Sequence, residues 1–411
     1  MSAPPAEKVP TTAEEPLAPD PKARSPLWDT ALVTFLSFVL ALAIGAVLVA
    51  VSDPDVAEAA SYFFARPLDT LSAAWDSVWG AYLALFQGAV FDTSASSVQQ
   101  AIRPLTETLT VAAPLIVAGL GVALPFKAGL FNIGAEGQII LGAIGAAYVG
   151  FTIGLPWGVH LLVAVVASLL MGGLWGGIVG FLKARTGAHE VIVTIMLNYV
   201  ARFLLAYLLT TAAFQRPGRN DPISPIVDET AQYPLLLGSW SRLHLGFVVA
   251  LAAAVFVWWL LNRSVMGFQF RAVGANPSAA RTAGISVERS YVLVMMTAGA
   301  LAGLAGSFQV LGTEKALTGG VSAGIGFDAI TVALLGRGSP TGTVLAGILF
   351  GGLRAGGVTM QARTGTPIDI VLVVQSLIVL FVAAPPLVRS IFRIRRPGAI
   401  DTLQVSKGWG A

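Results

Sequence analysis

The sequence predicts an all-α polytopic membrane protein with about ten transmembrane helices, and three observations lead there. Charged residues make up only 11% of the chain and hydrophobic residues 55%, whereas a soluble domain carries roughly 25% charged residues. The mean hydropathy is +0.76. Apolar runs of near-spanning length recur along most of the chain, and the basic residues gather in the gaps between them, as expected of a chain threaded back and forth through a bilayer.

Residues 1–26 come first and hold Pro4, Pro5, Pro10, Pro16, Pro19, Pro21 and Pro26 among mixed charges. Such a composition cannot bury enough surface to fold, so a disordered tail is expected. Lys22 and Arg24, just before the first apolar run at 31–51, put that tail in the cytoplasm. The run is too long for a signal-peptide core, and no clear small-residue cleavage site follows. It reads as a retained anchor. Residues 52–104 mix Asp53, Asp55, Glu58, Asp69, Asp76 and Asp92 with Tyr62, Phe63, Phe64, Trp75, Trp79 and Tyr82. That suits an amphipathic segment at the outer interface, so 27–104 is read as one helix plus that segment.

A transmembrane core is expected over 105–390, with runs near 105–123, 137–154, 159–182, 191–213, 247–261, 290–311, 325–336, 341–357 and 368–386. Lys127, Lys183 and Arg185 mark inner ends. The loop at 214–246 is placed outside although Arg216, Arg219 and Arg242 oppose the charge bias, which is statistical. The loop at 262–289, with Arg263, Arg271, Arg281 and Arg289, is the most basic between spans and is placed in the cytoplasm. After Arg389 the chain enters a second cytoplasmic tail, 391–411, so both termini are expected inside.

Several function classes drop out. The net charge of +3 is explained by this topology, without a nucleic-acid surface. The absence of cysteine excludes disulfides, thiolate metal sites and cysteine nucleophiles. No GxxxxGK[ST] or HExxH motif occurs, and His160, His189 and His244 are scattered. The chain is therefore read as neither an enzyme nor a metal protein, and any ATP it depends on is bound by another chain.

Two stretches interrupt the apolar pattern in a way that demands explanation. GLFNIGAEGQ, Gly129 to Gln138, places Asn132, Glu136 and Gln138 among small residues. Lipid tolerates such a break only where it borders a cavity, packs inside protein or lies at the membrane face. A pathway element and a tight cytoplasmic turn with a helix cap both satisfy it. A similar glycine-rich stretch, GGVSAGIGFDAITVALLG, carries Asp328 into the eighth run. On the expected topology the two units are inverted, a recurrent transporter design. Arg202, Gln309, Glu314, Lys315, Arg337, Arg354, Asp369 and Gln375 are further polar candidates, whereas Gly299, Gly303 and Gly306 read as helix packing. The loop RAVGANPSAARTAGISVERS, Arg271 to Ser290, reads as a short helix begun by Asn276-Pro277 and closed at Gly284. Taken alone it favours a solvated connector over a docking element.

A resemblance changes that balance. PLIVAGLGVALPFKAGLFNIGAEGQ (Pro114 to Gln138), GAHEVIVTIMLNYVA (Gly187 to Ala201), GFQFRAVGANPSAARTAGIS (Gly267 to Ser286) and GFDAITVALLGRGSPTGTVLAGILFGGLRAGG (Gly326 to Gly357) together resemble the permease subunits of bacterial ABC importers. The group is that of branched-chain amino acid and simple-sugar permeases, most closely the nucleoside-type ones. The resemblance implies a type II-like importer permease in the bacterial cell membrane and a second permease subunit. It also implies cytoplasmic ATPases that bind ATP and Mg, and an extracytoplasmic substrate-binding lipoprotein. Gly274, Asn276, Ala280, Arg281, Gly284 and Ile285 match the family's coupling motif. Asn132, Glu136, Gln138 and Asp328 are then expected to form a substrate pathway or gate. The alternatives are the same kind of permease for sugars or branched-chain amino acids, an ATP-independent secondary transporter or channel, and, weakest, a membrane enzyme.

Overall fold

The chain is built from α-helices, seen in a computed structural model that describes residues 26–393. Most of both expected tails, residues 1–25 and 394–411, lies outside the described residues. α1 (Pro26–Ser52), α2 (Pro54–Ser61) and α3 (Pro67–Ala89) precede α4 (Val98–Phe126), α5 (Ala135–Thr152), α6 (Val159–Thr186) and α7 (Glu190–Leu208). After a long connection come α8 (Gly246–Arg263), α9 (Val265–Ala275), α10 (Pro277–Thr282) and α11 (Val287–Ser307). The last four are α12 (Ile325–Leu335), α13 (Pro340–Thr364), α14 (Ile368–Ala383) and α15 (Pro385–Ile391).

Among the described residues, seven helices are long and apolar enough to cross a membrane, and an eighth span is possible if α14 and α15, bent by 94°, count as one. The two remaining predicted runs are α5, of 18 residues, and α12, of 11. At 1.5 Å per residue α12 is about 16 Å long, half of a hydrocarbon core. It is too short to cross the bilayer alone.

Contacts fix the direction of the helices. Arg337 donates to Thr34 at 3.5 Å, and the backbone at Gly338 passes close to the Lys127 ammonium. The start of α1, the end of α4 and the start of α13 thus share one face, called here the Lys127 face. At the opposite end Arg363 pairs with Asp92 at 2.6 Å. There β1 (Ile223–Ile226) and β2 (Ala316–Thr318) form an antiparallel pair. This ribbon, whose first strand lies inside the 214–246 loop, ties the chain after α7 to the chain after α11.

Glycine decides how the centre packs. In lipid no hydrophobic force drives helices together, so close approach of backbones must supply the contact. A Cβ on Gly299 would lie 2.2 Å from the Gly172 carbonyl oxygen, and one on Gly303 2.5 Å from that of Ser168. The Ser168 hydroxyl also donates to the Gly303 carbonyl. α5 crosses α11 where Gly142 meets Gly303, and α4 passes it where Gly121 meets the Ala298 carbonyl. α11 is thus the central post of the bundle, and its glycines are packing residues as expected. Two separate apolar cores result. One joins α4, α5, α6, α7, α8, α11, α12, the first half of α13 and Val379 of α14. The other joins α1, α3, α14, α15 and the second half of α13. In the second core α3 lies along α13, where Gly356 touches the Leu85 carbonyl. Its stacked Trp75 and Trp79 remain exposed, as lipid-level anchors would be.

Candidate functional site

The two interruptions are 190 residues apart in sequence and touch in space. Glu136, in the first turn of α5, accepts a hydrogen bond from the Gly326 amide in the first turn of α12 at 2.9 Å. Two helix N-termini therefore meet inside the protein, and a carboxylate complements the partial positive charge of both. Gly326 has no room for a side chain, since a Cβ would lie 2.3 Å from the Glu136 backbone nitrogen.

Asn132 and Gln138 are fully buried and face each other. The Asn132 amide donates to the Gln138 carbonyl oxygen at 3.0 Å, and the reverse bond is 3.2 Å. Asn132 also accepts from the Gly134 amide at 3.0 Å. These groups hold the backbone of the interruption and do not line the large cavity described next. Asn198 completes the clamp from α7, accepting from the Gly137 amide and donating to the Ile133 carbonyl, both at 2.9 Å. Sequence reasoning gave Asn198 no role, although an amide eight residues into an apolar helix was a legible signal. Removing it in Asn198→Ala orphans two buried backbone groups, which is expected to destabilise the protein by about 1–3 kcal/mol. Thermal unfolding of purified protein measures this, and an unchanged midpoint would show that the clamp carries no stability.

Beside this junction lies a cavity of about 1190 Å³ running from Asp92 and Ser96 at the far end down to Pro114 and Ile325. α4 gives it unusual polarity. Pro104 and Pro114 stand inside that helix and lack an amide hydrogen, so the carbonyls of Gln100 and Thr110 lose their helical donors. All four residues line the cavity, where such groups are tolerated. The lining also includes Gln309 and Thr313 from a π-helical turn, Phe308–Thr313, a local irregularity that often marks functional sites.

Of the charged residues that line the cavity, Asp92, Glu107, Arg242 and Arg354 are paired, and Arg103 and Glu314 form no ion pair among the described residues. Arg242 binds Glu107 through Nη2 at 2.8 Å. Arg354 contacts Asp328 at 2.6 Å and donates to the Ala323 carbonyl at 3.2 Å. Hydrogen bonds from Ser94 and then Arg363 hold the Asp92 carboxyl down at about 2. Of the expected pathway residues, Asp328 reaches the cavity through Arg354, Glu136 reaches α12, and Asn132 and Gln138 support both from behind. Glu107, inside the predicted run 105–123 and given no role there, and Arg242, from the 214–246 loop, join the site because the fold brings 135 residues of separation to contact.

The expected coupling residues occupy the Lys127 face. Asn276 caps α10 by accepting from the Ala279 amide at 3.0 Å, with Pro277 at the first helical position. Gly284 closes it with φ of 83°, and the amides of Gly284 and Ile285 bond back to Arg281 and Ala280, both at 3.0 Å. Ala280 is buried against Val273 and Val287. Arg281 is exposed and pairs with Glu288 at 2.9 Å. Gly274 is pressed onto the turn before the first interruption, where a Cβ would lie 2.1 Å from the Lys127 carbonyl oxygen. The loop thus bears directly on the segment that leads into Asn132.

Comparison with known proteins follows the same residues. Residues 105–383 match the family described as branched-chain amino acid transport system, permease component. The chain is 38% identical over 370 residues to the guanosine ABC transporter permease protein NupP of Bacillus subtilis, covering 90% of this chain and 97% of that one. It is 34% identical over 331 residues to the nucleoside ABC transporter permease protein NupB of Lactococcus lactis, covering 76% and 85%. It is also 33% identical over 371 residues to the glucose ABC transporter permease protein TsgB13 of Haloferax volcanii, covering 88% and 89%. No solved structure matches. With more than half of its length matched by one family, and those matches spanning both interruptions and the α9–α10 loop, the chain belongs to the permease components of the branched-chain amino acid transport system family.

Proposed function

We propose that the chain forms the translocation pathway of an ATP-driven nucleoside importer, with the Lys127 face in the cytoplasm and the cavity open to the outside. The observation that carries this reading is the cavity itself: Arg242, Arg354 and Asp92 in its lining are paired within the protein, while the carbonyls of Gln100 and Thr110 have lost their helical donors. Arg103 and Glu314 also line it and form no ion pair among the described residues, but they are one of each sign, so the lining suits a molecule without net charge and rich in donors and acceptors. Nucleosides answer that description, and two of the relatives above are named for them.

In this reading Asp328 and Arg354 form the floor of the outer cavity, and Glu136, Asn132 and Gln138 keep the α5–α12 junction closed beneath it. Gly274, Asn276, Ala280, Arg281, Gly284 and Ile285 transmit the motion of a cytoplasmic ATPase, which binds ATP and Mg. A second permease subunit and an extracytoplasmic binding lipoprotein complete the assembly. ATPase closure acts on the Lys127 turn through Gly274 and so reaches the junction without passing through the solute.

The glucose permease relative supports a second reading, a simple sugar as solute. Uptake of labelled guanosine by cells expressing the chain with its partner subunits separates the two. Excess inosine is expected to compete, and ribose, glucose and leucine are not. Competition by glucose alone would move the assignment to sugars, and uptake that persists without the ATPase would overturn ATP-driven import.

A further inference from the structure

We propose that the groove between α8 and the α6–α11 seam holds an acyl chain of an anionic phospholipid in the leaflet at the Lys127 face. The proposal goes beyond the transport reading and does not depend on it. The groove has a volume of about 670 Å³, and Thr297 is the only polar side chain among its lining residues. The Thr297 hydroxyl is already spent on the Leu293 carbonyl, at 2.8 Å. Gly173 keeps the floor low. A slot of this kind, facing hydrocarbon and offering no hydrogen bonds, takes an alkyl chain.

What selects the headgroup is register. On α11 the lining residues Ala300, Met296 and Leu293 form a stripe that reaches Arg289 one turn later. On α8 the stripe through Ala252 and Phe256 reaches Arg263, and on α6 the one through Leu170 and Leu174 reaches Arg185. Spacings of four, seven and eleven residues each return to the same helix face. All three arginines are exposed, and none forms an ion pair among the described residues, whereas nearby Lys183 is held by Glu190 at 2.9 Å. Trp259, also exposed, sits on the α8 stripe between Phe256 and Arg263, the position of a headgroup-level aromatic. The inside-positive bias puts cations at these helix ends. It does not by itself put one on each stripe that walls the groove. A second copy of the chain is disfavoured as occupant, because it would bring its own arginines to the same end.

The test uses the full chain in nanodiscs and phosphatidylglycerol carrying a photoreactive diazirine on its acyl chain. Mass spectrometry is expected to find the label on lining residues of α6, α8 and α11. A phosphatidylcholine probe with the same chain should label them several-fold less. Each of Arg185→Gln, Arg263→Gln and Arg289→Gln is expected to weaken labelling about fivefold, the equivalent of about 1 kcal/mol per basic residue at an anionic surface. Ala252→Trp fills the groove with the arginines intact and should abolish labelling there, while labelling of α1 reports that the variant is folded. Equal labelling by the two headgroups, label only on other surfaces, or cross-links from the groove to a second copy would each overturn the proposal.

Discussion

Gly274→Val is expected to reduce guanosine uptake by about ten- to a hundred-fold, the range of a lost coupling free energy of roughly 1–3 kcal/mol. The reason is steric. Even the first carbon of a side chain would lie 2.1 Å from the Lys127 carbonyl oxygen and 3.0 Å from the Ala128 carbonyl carbon, both rigid backbone. The loop must therefore lift off the turn that leads into the first interruption. Its own capping interactions lie on the other side of Asn276 and stay intact, so α10 still presents its surface to a partner. The signature is ATP hydrolysis and subunit assembly close to normal, with uptake lost. Normal uptake by the variant would sink the idea that this contact transmits motion. Loss of assembly together with uptake would place Gly274 in the folding of the loop instead.

Gly299→Leu is expected to prevent recovery of folded protein, and Gly299→Ala to destabilise it by about 1–3 kcal/mol, the usual penalty for overpacking. Gly299 faces Gly172 and Gly176 on α6, and the atom nearest its missing Cβ is a backbone oxygen, which cannot rotate away. A single methyl must push α6 and α11 apart along the seam. Gly154 is the control, because a Cβ there meets nothing within 4 Å. Thermal unfolding of Gly299→Ala and Gly154→Ala, followed by monodispersity in detergent, measures the contrast. Equal midpoints for the two variants would show that the seam tolerates expansion.

Much of this architecture was legible because lipid imposes few solutions. Each predicted apolar run corresponds to a helix, and the polar breaks at 129–138 and 319–328 mark where helices restart inside the protein. The short α10 was readable from Asn276-Pro277 and Gly284, since cap chemistry is local. Other features depend on the fold. α3 alternates acids, aromatics and small residues, and only the complementary face of α13 turns it into a packed helix. The β1–β2 ribbon joins segments about 90 residues apart, without a turn signal to announce it. Glu107 with Arg242, and Asp328 with Arg354, could be suspected singly but not paired. Asn132 and Gln138 were rightly singled out as unusual in an apolar stretch, yet their partners proved to be each other and the backbone, which spacing cannot distinguish from a solute.

The division of the interior into two apolar cores has a mechanical consequence. The cavity is walled on one side by α4 and the start of α12 and on the other by α3, α14 and the second half of α13. It is a wedge between two packed bodies, with α13 and α14 contributing to both. Rocking one body against the other about these shared helices would narrow the wedge without disturbing the glycine seam, while release toward the Lys127 face requires the Glu136–Gly326 junction to part. Access then alternates with the α6–α11 seam intact, so the tightest packing in the molecule acts as stator and the bridging helices as axle.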